Sequence, residues 1–170
     1  MISFYTLHDW IRAKRVDRVR SRPGQCSGAR DPSMIDYERF AAPGHPRILP
    51  ADLVERARAR QVMSMLRTSL FALREDRPTS TVFGRPNPRP LSDHARDDAA
   101  ELERLALAVL PDDRPAMFGA WCIADIDLAL ALMRLIANGD PLDRRLTTYA
   151  LAQFERKSVH RFVSHLPTTR

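Results

Sequence analysis

Between Trp121 and Gly139 the chain reads WCIADIDLALALMRLIANG, and from Ile123 to Ala137 only Asp125, Asp127 and Arg134 are polar. A helix that is apolar nearly all round has no face to give to water, so other helices must surround it. The run is too short and too charged for a membrane span, which needs about 20 apolar residues. These constraints predict an all-α fold, a bundle of about five helices around one buried central helix. Asn138-Gly139 supplies a left-handed stop for that helix, and Asp140-Pro141 reads as the cap and first position of the next.

The surrounding helices are read from periodicity. From Ala51, the residues Val54, Ala57, Val62, Leu66, Leu70 and Leu73 share one face while arginines and Glu55 fill the rest, which predicts a single helix running to Arg74–Asp76. Pro78 ends it, and residues 77–90 read as a Pro-rich loop with an extended piece at Ser80–Phe83. Ser92 caps a helix with Ala95, Ala99, Leu102, Ala106 and Val109 on its inner stripe. Leu146, Tyr149, Ala150 and Gln153 mark a fourth helix. Ser158 reads as the cap of a fifth, whose buried face is Val159, Phe162, Val163 and Leu166.

Ahead of this domain, assigned to residues 51–166, the chain has another character. Residues 1–32 lack any sustained apolar period and carry seven basic against three acidic side chains, so they supply +4 of the net charge of +6. Only Lys14 and Lys157 are lysines, an arginine bias that points to base composition rather than to a phosphate-binding face. The rest of the chain is close to balanced, which argues against a nucleic-acid partner. Residues 33–50 comprise a short amphipathic fragment, SMIDYERF (33–40), and a Pro-rich linker. No signal-peptide core interrupts the N-terminal charges, so a cytoplasmic protein without membrane association is expected.

Few constellations carry chemistry. Cys26 and Cys122 form no disulfide framework and have no zinc spacing. His8, His45, His94, His160 and His165 are scattered without a carboxylate cluster, so no metal is expected. No Gly-rich phosphate loop occurs. At the start of the central helix, Cys122 stands at the cap and Asp125 at the third helical position. A carboxylate there reaches back to the cap amide, which gives Asp125 a complete structural role and leaves Cys122 an inert thiol.

The segments MFGAWCIADIDLALALMRL (117–135), ERARARQVMSMLR (55–67), LREDRPTSTVFG (73–84) and YALAQFERKSVHRF (149–162) resemble glutathione transferases of the YfcF-type bacterial branch. The resemblance covers residues 33–166 and implies the C-terminal helical domain of an enzyme that uses glutathione as co-substrate on small electrophiles, a detoxification chemistry. Relatives place a thioredoxin-like domain ahead of it, which holds glutathione and activates its thiol. Residues 1–32 are too few for that unit, and they read as a shifted frame or an incorrect start. The chain alone is therefore expected to be inactive, with no tightly bound cofactor and no catalytic residue.

By the same resemblance, Met65, Arg67, Ser69, Leu70, Arg74 and Trp121 stand on the electrophile side, and Ser33 is a remnant of the glutathione-binding serine. Five of them have a plainer reading: core packing for Met65 and Leu70, a solvated face for the two arginines, a helix cap for Ser33. An apolar face on the first helix, uncovered by its partner domain, predicts homodimers. The alternative function is a helical protein-interaction module without catalysis. A weaker one is arginine-driven nucleic-acid binding through residues 1–32.

Overall fold

The computed structural model describes residues 47–112 and 114–165. The expectations for residues 1–32, for SMIDYERF with Ser33, for Cys26 and for Leu166 lie outside them. The described part is all helical: α1 (Leu53–Thr68), α2 (Phe71–Asp76), α3 (Thr79–Phe83), α4 (Asp93–Val109), α5 (Ile123–Ile136), α6 (Arg144–Phe154) and α7 (Lys157–Val163). The apolar segment forms α5, where twelve of fourteen residues are buried and α1, α3, α4 and α6 pack around it. The all-α bundle around a buried central helix is thus present.

Side-chain capping explains several of the helix starts. Asp52 accepts the N–H groups of Val54 and Glu55, both at 2.9 Å, to start α1. Ser92 does so for α4 through Ala95 N–H at 3.3 Å. Packing begins before α1, since Leu49 is buried and the Ile48 carbonyl accepts Ile123 N–H at 2.7 Å. Gly139 takes φ +74° after α5, and Asp140 N–H closes back on the Leu135 carbonyl at 3.1 Å.

Five expectations are corrected. The first helix does not run unbroken to Asp76: Leu70 adopts φ 58° and divides α1 from α2. The break is supported from outside, because Asp98 of α4 accepts the freed N–H of Leu73 at 3.0 Å. The inner face of α1 is Ala59, Val62, Met63 and Leu66, while Val54 is exposed and Ala57 lies on the solvent side. Ser80–Phe83 is not extended but belongs to α3, with Thr81 buried.

Asp140 does not cap α6. Its carboxylate is taken by Arg77, and Asp143 caps instead, accepting Arg145 N–H at 2.7 Å and Leu146 N–H at 3.3 Å. Finally, α7 starts after Arg156, so Ser158 lies inside it and Val163 is exposed. The Arg156 carbonyl accepts the N–H groups of Val159 and His160, at 2.9 and 3.0 Å, which opens the helix ahead of Ser158, and Phe162 packs on Phe83 with ring centroids 6.1 Å apart. The inner stripes of α4 and α6 fall where the spacing puts them: Ala95, Leu102 and Ala106 are buried on one, and Leu146, Tyr149, Ala150 and Gln153 on the other.

Candidate functional site

The corner between α1 and α2 gathers most of the residues assigned to the electrophile side. Ser69 closes α1, its N–H bonding the Met65 carbonyl at 2.9 Å, and the left-handed Leu70 turns the chain. A non-glycine residue in that region costs on the order of 1–3 kcal/mol. The turn buries the Leu70 side chain and leaves Phe71 outside. Leu70 therefore shapes the corner from below and presents no side chain to it.

On the rim, Arg74 donates from Nη1 to the Arg67 carbonyl at 2.7 Å, and its guanidinium lies 5.9 Å from the centroid of the Phe71 ring. Arg67 donates from Nη2 to Asp127 Oδ2 at 2.7 Å. Asp127 is buried, and burial pushes its carboxyl up to about 6, with Arg67 pulling the other way. Beneath the rim Arg134 is buried and brought down to about 10, by burial first and then by the like charge of Arg74. Its guanidinium donates to the Arg77 carbonyl and to Thr79 Oγ1. The corner thus carries two accessible guanidiniums beside an aromatic ring and the half-buried Met65.

Trp121 is not part of this group. It lines a cleft of about 850 Å³ between residues 114–121 and α6, none of whose walls comes from Met65, Arg67, Ser69, Leu70 or Arg74. Arg156 lies 4.3 Å above its ring.

The start of α5 shows what Asp125 does. Its Oδ2 accepts Cys122 N–H at 2.8 Å, while Oδ1 accepts Met117 N–H at 2.9 Å and the Tyr149 hydroxyl at 2.9 Å. The carboxylate is fully buried. Its cap role was readable from the spacing to Cys122. Met117 and Tyr149 were missed, although a tyrosine on an inner helix stripe signals a buried partner for its hydroxyl. Burial, with Asp125 alongside, pushes the Cys122 thiol up to about 12, and burial raises the Tyr149 hydroxyl above its ordinary range.

Among the described residues no group of His, Cys, Asp and Glu is placed to hold a metal, and no helix is long and apolar enough to cross a membrane.

The helical fold has counterparts among known proteins. The family model described as glutathione S-transferase, C-terminal domain, matches residues 52–167, and the chain belongs to that family. A solved structure similar to it is a glutathione transferase homologue from Burkholderia gl BGR1 with bound glutathione, 33% identical with a TM-score of 0.60. That match covers 76% of this chain and 62% of the other, so the chain spans about three-fifths of its relative. No curated protein matches.

Proposed function

We propose that this chain supplies the electrophile-side wall of a cytoplasmic, YfcF-type glutathione transferase. Arg67 and Arg74 offer forked donors to carboxylate or nitro oxygens, and Met65 and Phe71 offer apolar contact. The observation that carries this reading is the α1–α2 corner itself. A strained turn at Leu70 has a cost, and here it brings two arginines together on an open rim. Ser69 lies in the same corner, whereas Trp121 belongs to another cleft.

Glutathione and the activation of its thiol come, on this reading, from a thioredoxin-like half that these helices do not form. Calorimetry on the full chain is expected to show no glutathione binding, and micromolar affinity would overturn that division of labour. For the wall itself, titration with dinitrobenzene followed by amide NMR should shift Met65 to Arg74. Shifts confined to other helices would reject the corner as the electrophile contact.

A second reading, a protein-interaction surface, is favoured by the exposure of Leu53, Val54 and Phe71 at 73%, 60% and 69%. It predicts concentration-dependent homodimers that Phe71→Ser weakens. A monomer at every concentration in sedimentation would reject it.

A further inference from the structure

The α1–α2 corner holds more positive charge than the carboxylates around it answer. Arg134, on α5 beneath the rim, is 4% exposed. Its guanidinium donates to two neutral oxygens, the Arg77 carbonyl and Thr79 Oγ1, the latter at 2.8 Å. Among the described residues no carboxylate pairs with it, and the neighbouring charge it feels is that of Arg74, another cation. A cation held out of water without a counter-ion destabilises the fold until an anion offsets it.

The carboxylates of the surrounding elements are committed. Asp127 of α5 pairs with Arg67 at 2.7 Å, and Asp140 with Arg77 at 2.6 Å. Asp98 of α4 accepts Leu73 N–H at 3.0 Å, and Asp76 accepts Ser92 N–H at 2.7 Å. Glu75 of α2 is exposed and joins no ion pair among the described residues. Arg74 joins none either. It uses Nη1 on the Arg67 carbonyl, which leaves its Nε–Nη2 edge without a hydrogen-bond partner among the described residues. That edge is a fork matched to the two oxygens of a carboxylate. A nitro oxygen would accept a hydrogen bond there and leave the charge uncancelled.

We propose, on the reading that this corner is the electrophile wall, that the electrophile it takes is an anion bearing a carboxylate. The carboxylate meets the open edge of Arg74 and offsets the buried charge of Arg134.

Amide NMR titration of the full chain with 4-chloro-3-nitrobenzoate and with its neutral carboxamide separates charge from shape. Both should shift Met65 to Arg74, and the benzoate should bind there about tenfold more tightly at low salt. About 0.5 M sodium chloride should remove most of that advantage. Arg74→Gln, checked for unchanged helical circular dichroism, should abolish the preference. Arg161→Gln, an exposed change of equal net charge on α7, should keep it.

Equal affinity for the two probes, with shifts at the corner, overturns the anion and leaves the electrophile wall standing. A preference that survives in Arg74→Gln overturns it too, as does an equal loss from Arg161→Gln, which would trace the preference to the chain's net charge of +6. Shifts at Met65 to Arg74 from neither probe remove the wall and the anion together.

Discussion

At the start of α5 one carboxylate, Asp125, collects donors from the preceding loop, from the cap and from α6. At its end the cations do the gathering. There Arg77, only 2% exposed, grips Asp140 through Nε at 2.6 Å and Nη2 at 2.8 Å and also reaches the Arg89 carbonyl at 2.9 Å. Arg134 ties α5 to Thr79, and Asn138 accepts Asn87 N–H at 2.6 Å. An anion at the first turn and cations at the last both complement the helix dipole. The difference lies in what each end holds: the first fixes helix to helix, whereas the second fixes the Pro-rich segment between α3 and α4.

Asp125→Ala breaks the comparison most severely. It orphans the N–H groups of Met117 and Cys122 in a dry site and leaves the Tyr149 hydroxyl only the backbone carbonyl of residue 125, and should cost about 4 kcal/mol in urea unfolding. Asp125→Asn should recover about half of that, and equal losses for both variants would refute the hydrogen-bond account. Arg77→Met leaves Asp140 without its guanidinium and should cost about 3 kcal/mol, with proteolysis appearing first between Arg85 and Pro90. Unchanged proteolysis would show that the loop is held by something else.

Asp127, two residues further into α5, sharpens the contrast because it has burial without Asp125's set of donors. Its folded value of about 6 lies above the ordinary 3.8, so the stability it contributes is full below 3.8 and is lost as pH rises through about 6. Asp127→Asn should therefore remove a downward slope between those values and be about 2 kcal/mol more stable than the parent at pH 7. An identical pH profile for variant and parent would refute this. The smallest effect is expected from Gly139→Ala at the far end of α5: φ is +74° with nothing within 4 Å of an added Cβ. Only backbone strain is at stake, about 1 kcal/mol by thermal unfolding.

These two ends also differ in how far they could be read beforehand. Cys122 and Asp125 stand three residues apart, so local helix geometry was enough to pair them. Arg77 and Asp140 are 63 residues apart. Only folding brings them together, and their pairing moved the α6 cap from Asp140 to Asp143. The break at Leu70 carried no glycine or proline to announce it, and the support it receives from Asp98 comes from another helix. At the α1–α2 corner, Arg67 and Arg74 were named by resemblance alone, and the break at Leu70 between them means that helical spacing could not have paired them. Trp121 was assigned by resemblance alone, and its place beside four arginines depends on α6, which its local sequence does not contain.

The cap at Cys122 has a chemical consequence as well as a structural one. With its thiol pushed up to about 12 and its side chain nearly sealed, the thiolate at neutral pH amounts to on the order of one molecule in 100,000. Alkylating agents passing over these helices find almost no competing sulfur there. A domain of this family, whose relative holds glutathione, keeps its own described cysteine out of reach of the reagents that glutathione would meet.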